Sequence, residues 1–483
     1  MPKIAMIGAG SLVFCETLTR DILATPSLRD SEICLMSRTR PKLERMRTFI
    51  ARMIHDNNLP ARVTATLDRR QALRNADYVI VMFQVGGLEA FRIDYEIPLK
   101  YGVDQCIADS LGPGGVFRGL RSVPVLTELV RDMERYCPKA LLLNYANPMA
   151  ANCLALGRLS SNIPFIGLCH GVQTTLDLIS RYVNTPKNQL DYRCAGINHM
   201  AWFLSLKDKR TGRDLYPVLR RNMEKPGYYV NEKVRGEVMR HFGYFMTEST
   251  GHLSEYIPWF RSTDRGLKTY CDMPDFGGAS GAYYRYCCML ARKYERVDAL
   301  ALASPRITGR SVEYCSYILE AHQTGKRFKL NGNVRNDGYI TNLPNGCCVE
   351  VPVIVDGKGI HPQKIGNLPP QCAALNQSNV TVQSLAVEAG MSGDPEHIMH
   401  AIAMDPLTST RCTLKEIRSM TQEMLEAQRR WLPQFKGRKL AARPAIRIPK
   451  RLKSVDVPLD PALAIANRFG KLATQSVKPS VKR

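Results

Sequence analysis

The opening stretch, Met1 to Met36, constrains the fold most. Lys3-Ile4-Ala5-Met6-Ile7 has the β-branched, apolar character of a buried strand, Gly8-Ala9-Gly10-Ser11 turns sharply, and Phe14 to Leu23 reads as a helix. Glu32-Ile33-Cys34-Leu35-Met36 then supplies a second strand at the distance of a βαβ unit. Glycines between a strand and a helix let the backbone approach a pyrophosphate, and the amides at the helix start favour its charge. Gly8, Gly10 and Ser11 are therefore candidate cofactor residues. The turn is GxGS rather than the full GxGxxG, so the second strand carries much of the argument. At its end a dinucleotide fold usually sets a carboxylate against the ribose 2′-hydroxyl. Ser37-Arg38-Thr39-Arg40 stands there instead. Ser37 and Arg38 take that place here, and two arginines would accommodate a 2′-phosphate, so NAD is expected with NADP left open.

Ala76 to Met82 reads as a third strand and Lys139 to Asn144 as a fourth, with Val123 to Tyr136 helical between them. This alternation predicts an α/β fold with a Rossmann-like, doubly wound parallel sheet, whose ligands gather at the carboxyl ends of the strands. Polar clusters fall at those ends: Gln84 to Gly87 with Arg92, then Asn144-Tyr145-Ala146-Asn147-Pro148, then Cys169-His170 after the apolar run Pro164 to Leu168. Ala108 to Arg118 contains Gly112-Pro113-Gly114-Gly115, which reads as a loop opening a helix where a substrate lid would be useful. A thiolate from Cys169 and an imidazole from Gly196-Ile197-Asn198-His199-Met200 would together hold a borderline divalent metal, leaving His170 for proton transfer.

Composition adds bounds. A chain of 483 residues with 45% hydrophobic content forms two or three domains. Its net charge of +23 is uneven, because Lys436 to Arg483 holds thirteen Lys or Arg against Asp456 and Asp460. That segment, rich in proline, reads as a poorly ordered basic tail in which Leu459 to Phe469 could dock as a short helix. It lacks the interleaved aromatics of a base-stacking surface, which argues against nucleic acid. No apolar run spans a membrane, and Met1-Pro2-Lys3 leads directly into a strand, so the fifteen cysteines are expected to be reduced thiols of a cytoplasmic protein.

These motifs resemble glycoside hydrolase family 4, the NAD- and metal-dependent glycosidases, over nearly the whole chain to about Gln434. The resemblance rests on Gly8 to Ser11, Gly86 to Pro98, Gly112 to Gly115, Asn144 to Pro148, Cys169 to Val172, Gly196 to His199, Ser254 to Phe260 and Asp405 to Leu407. It implies cleavage by NAD-dependent oxidation at the sugar's C3, deprotonation at C2 and elimination, with a divalent metal, manganese first, held by Cys169 and His199. It places His170 in the proton-donor slot, Tyr256 as the C2 base with Asp109 as a further candidate, Asn147 and Asn198 on sugar hydroxyls, and Arg92 as substrate anchor. Cys-His-Gly-Val resembles the α-galacturonidase and α-glucuronidase group, and Cys-His-Ser-Val the α-galactosidases.

The resemblance is weakest at Ser37-Arg38, where the family is acidic, and in the basic tail. It implies a lactate- or malate-dehydrogenase-like architecture: a dinucleotide-binding domain over 1–165, a mixed α/β domain for substrate, metal and oligomerisation over 166–435, and a tail over 436–483. The expected activity is hydrolysis of an α-linked uronide, galacturonide first, by a homodimer or homotetramer. A cationic partner for the uronate would come from Arg92, Arg118 or Arg261. The alternatives are an α-galactosidase of the same family, a lactate- or malate-type dehydrogenase, and a non-catalytic sugar or nucleotide sensor.

Overall fold

The computed structural model describes residues 1–10, 12–160, 162–296 and 303–453. Ser11 and Leu459 to Phe469 lie outside them. Met1–Leu440 forms one compact unit and Ala441–Arg483 a second, whose described residues 441–453 contain no helix or strand.

Among the described residues eleven strands build one sheet: β1 (Lys3–Ile7), β2 (Glu32–Met36), β3 (Arg62–Thr66), β4 (Tyr78–Val81), β5 (Leu141–Asn144), β6 (Phe165–Gly167), β7 (Leu190–Ile197), β8 (Met200–Asp208), β9 (Phe328–Arg335), β10 (Cys348–Asp356) and β11 (Gly359–Pro362). The first six pair in parallel in the order β3-β2-β1-β4-β5-β6. This is the doubly wound nucleotide-binding order, with its switch point between β1 and β4. Both faces are buried. Ile4 and Met6 of β1 join one apolar core, while Ala5 and Ile7 join the other, which explains runs that are apolar throughout.

Beyond β6 the sheet continues antiparallel through β9, β10, β7 and β8, with β11 against β10. Residue 165 therefore falls on β6, inside a continuous sheet. The strand at Tyr78 is the fourth, not the third. The missing one, Arg62-Val63-Thr64-Ala65-Thr66, is a partly exposed edge strand without an apolar run to signal it. The glycine-rich segment also differs from the expected lid: Gly112 to Gly115 form the buried first turn of a helix over Gly112–Tyr136. A Cβ on Gly115 would come within 2.4 Å of the Ser110 carbonyl carbon, so close backbone packing rather than mobility requires the glycine.

The register sets the site. Gly167 of β6 pairs with Asn333 of β9, Asn333 with Glu350 of β10, and Glu350 with Gly196 of β7. One row thus crosses four strands, with Cys169 just past one end and Asn198-His199 just past the other.

Away from this row, a buried ion pair ties three segments. Arg121 Nη1 and Nη2 donate to Asp94 at 2.8 and 2.6 Å, Gln428 Nε2 donates to Asp94 at 2.8 Å, and Arg121 Nε donates to the Val85 carbonyl at 3.1 Å. Removing one partner of such a pair leaves a buried, uncompensated charge. Arg121→Leu is expected to lower unfolding free energy by roughly 3–5 kcal/mol in a urea titration, with Asp94→Leu in the same chain recovering much of it. A loss below about 1 kcal/mol would contradict this account of the network.

Candidate active site

Cys169 follows β6 directly and precedes the helix Gly171–Tyr182, whose Gly171 amide lies 3.4 Å from Sγ. His199 belongs to the two-residue turn between β7 and β8 and has φ of +64°, a conformation rarely held by a non-glycine residue. Glu248, with φ of +82°, completes a group in which a thiol, an imidazole nitrogen and a carboxylate oxygen all lie within 4.8 Å of one another. Glu248 Oε2 is 3.5 Å from His199 Nε2, and its Oε1 is 3.6 Å from His252 Nδ1 and accepts from the Ser249 amide at 3.0 Å. On the other side of the His199 ring, Nδ1 is 3.1 Å from the Tyr256 hydroxyl. Backbone strain gathered at one place is held only by surroundings that over-determine it, and it is common where ligands bind.

The charges alternate. Burial lowers the pKa of His199 to about 4, opposed by Glu248 and assisted by His252, so its imidazole is neutral near pH 7 and able to ligate. Burial would depress His252 as well, but the hydrogen bond and charge of Glu248 raise it to about 9. Glu248 has burial working against its ionisation, yet His199 and His252 hold it well below the usual carboxylate range. Burial pushes the Cys169 thiol far up, and Glu350 and Glu248 push it further. Glu350, in the register row, is itself raised to about 8 by burial and by the Glu248 charge.

A second group adjoins the first. Asp109 accepts from Asn147 Nδ2 at 3.0 Å and from Ser110 Oγ at 2.6 Å, with Arg118 Nη1 at 3.6 Å. Burial opposes its ionisation, but Arg118 and His252 lower its pKa overall. Its loop is pinned by Glu255, which accepts from the Ile107 and Ala108 amides at 2.5 and 3.1 Å and from Gln105 at 3.0 Å. Four buried polar atoms of these groups, Asn198 Nδ2, His252 Nε2, Glu350 Oε1 and Arg118 Nη1, have no hydrogen-bond partner among the described residues. Orphans of this kind are what a polar ligand satisfies.

The structure brings Cys169, His199, Asn198, Tyr256, Asp109 and Asn147 into these two adjoining groups. His170 stands beside them with its side chain half exposed. Its Nδ1 lies 3.6 Å from Glu313, which raises its pKa. Arg92 is not brought in: it is exposed, pairs with Glu96 at 3.4 Å, and forms no hydrogen bond or ion pair with the cluster. Arg261 is buried against Asp104 at 2.6 Å and the Gly278 carbonyl at 2.9 Å, which leaves Arg118 as the buried cation beside Asp109. At the nucleotide end, a Cβ on Gly8 (φ +97°) would meet the Phe83 amide at 2.6 Å, and one on Gly10 would stand 3.0 Å from Ser37 Oγ. Ser37 is buried and Arg38 exposed. Glu248, His252, Glu313 and Glu350 were not legible as site residues. Glu248-Ser249-Thr250-Gly251-His252 alone carried a local signal, a carboxylate and an imidazole at i, i+4.

Sequence profiles decide the family. That of the Family 4 glycosyl hydrolases matches residues 3–185, and that of their C-terminal domain matches residues 194–408. The chain belongs to glycosyl hydrolase family 4. Among curated family members it is 41% identical to an α-galactosidase of Rhizobium meliloti (strain 1021), over 90% of this chain and 89% of that one. It is 39% identical to an α-galactosidase of Bacillus subtilis (strain 168), over 90% and 100%. An α-galacturonidase of Thermoanaerobacterium saccharolyticum is 25% identical over 76% of this chain and 82% of its own. A 6-phospho-α-glucosidase from gut microorganisms, solved in complex with NAD and Mn2+, shares the fold with a TM-score of 0.74 at 20% identity, covering 89% and 99%. The protein is thus a glycoside hydrolase with the family's α/β architecture. All fifteen cysteines are free thiols, and among the described residues no helix is long and apolar enough to cross a membrane.

The electrostatics of Cys169 are testable without substrate. Thiolate is the nucleophile toward alkylating reagents, so in metal-free protein Cys169 is expected to react with iodoacetamide at least ~10-fold more slowly than free cysteine at pH 8.5, and Glu248→Gln to accelerate it. Peptide mapping by mass spectrometry reads both rates. Free-cysteine reactivity at Cys169 would contradict the assignment.

Proposed function

We propose that this glycosidase hydrolyses an α-galactosidic bond, using NAD and a divalent metal, manganese first. The observation that carries the reading is the convergence of Cys169 and His199 at the carboxyl edge of the sheet, beside the orphaned polar atoms of Asn198 and Arg118. The residues fit both groups. A thiol and a neutral imidazole are competent ligands, and Gly8 and Gly10 form the close-packed turn between β1 and the following helix, the place where a dinucleotide fold binds a pyrophosphate. When bound, NAD would take and return a hydride at the sugar's C3, and the metal would act there as a Lewis acid, which together acidify the C2 proton.

The chain's own residues then have separable tasks. Asn147 and Asn198 would hold sugar hydroxyls, and Arg118 would orient the substrate alongside Asp109. The Asp109 carboxylate would receive the C2 proton, or Tyr256 would do so as its tyrosinate, a form that burial and the charges of Asp109 and Glu248 oppose, and His170, steadied by Glu313, would protonate the leaving oxygen. A positioned base gives roughly a hundred- to ten-thousand-fold, so the acidified C–H must carry the rest of the barrier. Ser37 and Arg38 at the end of β2 keep NADP as a second cofactor.

Similarity favours a galactoside over the galacturonide expected from Cys-His-Gly-Val, because the α-galactosidases are much nearer in sequence than the α-galacturonidase. One observation keeps the uronide as a second reading: Nη1 of the buried Arg118 makes no hydrogen bond, standing 3.6 Å from Asp109, and could donate one to a uronate carboxylate. Release of p-nitrophenol from its α-galactoside and α-galacturonide, assayed under reducing conditions with and without Mn2+, NAD and NADP, tests the proposal. Galactoside cleavage that requires both metal and nucleotide, and that Cys169→Ser lowers by at least ~100-fold, is expected. Cleavage indifferent to both additions would sink the reading.

A further inference from the structure

Cys169 and His199 make an incomplete donor set for a hard divalent cation. Manganese prefers oxygen ligands, and a thiolate with an imidazole suits softer metals better. Glu248 supplies the missing oxygen. Its carboxylate lies within 4.8 Å of both other donor atoms and 3.5 Å from His199 Nε2, close enough for one ion to bridge all three with small side-chain shifts. Three further features show that this carboxylate is held for a purpose. Its backbone sits at φ of +82°, and a non-glycine residue keeps such a conformation only where the surroundings enforce it. Its second oxygen is fixed by the Ser249 amide at 3.0 Å and faces His252 Nδ1 at 3.6 Å, which orients the remaining oxygen toward His199. His252 is buried, with Nδ1 facing Glu248 at 3.6 Å and Nε2 without a hydrogen-bond partner among the described residues.

We infer that Glu248 is a third protein ligand of the divalent cation, with His252 as the residue that positions it, so that a sulfur, a nitrogen and an oxygen donor face one side of the ion. The inference rests on the metal reading proposed above. A three-donor face leaves the opposite side open for sugar hydroxyls, and it shifts the site's preference toward harder cations than Cys169 and His199 alone would select. Ligating carboxylates are themselves commonly held by hydrogen bonds, and loss of such support lowers metal affinity by roughly 10- to 100-fold.

The test is direct metal binding, without substrate turnover. Mn2+ and Zn2+ affinities are measured by calorimetry on the reduced full-length protein and on Cys169→Ser, Glu248→Gln and Glu248→Asn. Asn tolerates left-handed backbone, so Glu248→Asn removes the charge even if Glu248→Gln disturbs the local fold. Both Glu248 variants are expected to bind Mn2+ about 10- to 100-fold more weakly while losing less affinity for Zn2+, which the thiolate and imidazole still hold. Unchanged Mn2+ affinity, or an equal loss for both metals, would overturn the role of Glu248. Wild-type protein that binds no Mn2+ would overturn the metal reading beneath it, and Cys169→Ser separates the two: its loss of both metals upholds the site whatever Glu248 does.

Discussion

The site depends on one feature of register, the row from Gly167 through Asn333 and Glu350 to Gly196. β6 and β7 are not neighbours, and β9 and β10 stand between them and fix their relative register. The row needs small or polar residues. A Cβ on Gly167 would come within 2.4 Å of Cys153 Sγ and 2.7 Å of Met149 Sδ, and Asn333 spends its amide on the Gly167 carbonyl at 3.4 Å. A sheet that begins as a parallel nucleotide-binding half and turns antiparallel at β6 therefore brings a thiol and an imidazole to a shared edge.

Burial then decides which of the gathered groups carry charge. Glu248 stays anionic between two histidines, one neutral and one cationic, while Glu350 beneath them is pushed toward its neutral form. Asp109 is balanced by Arg118. Charges buried in this way are costly unless paired, and pairing that leaves several polar atoms unsatisfied suits a site that completes itself with ligand. Catalysis gains from groups already oriented before substrate arrives.

Much of the nucleotide-binding half was legible in the sequence because its strands are buried on both faces: β1 and β2 were read at their observed ends from apolar runs alone. β3 was illegible because an edge strand needs no such run. The lid expected at Gly112 to Gly115 failed for a different reason: glycines signal flexibility and close backbone packing alike, and the contacts of Gly114 with the Ala108 and Asp94 carbonyls and of Gly115 with Ser110 show the packing. Cys169 and His199 were readable as candidate ligands because each sits in a short polar motif after an apolar strand, and the structure brings them together. Glu350 was not, since it lies within the apolar strand Cys348–Asp356, and only the pairing of β10 with β7 and β9 brings it beneath the site. Arg92 shows the converse, a residue that motif position favours and an exposed helix face carries elsewhere.

The central claim is that bond cleavage proceeds through loss of the proton at C2, which this architecture can assist with Tyr256 or Asp109, rather than through a pair of carboxylates acting at C1. Hydrolysis of an α-galactoside in D2O, followed by NMR of the released galactose, tests it most directly. The account predicts deuterium at C2 of the product in reactions supplied with nucleotide and metal. Product that retains its original C2 hydrogen would contradict it and point to direct displacement, in which C2 takes no part.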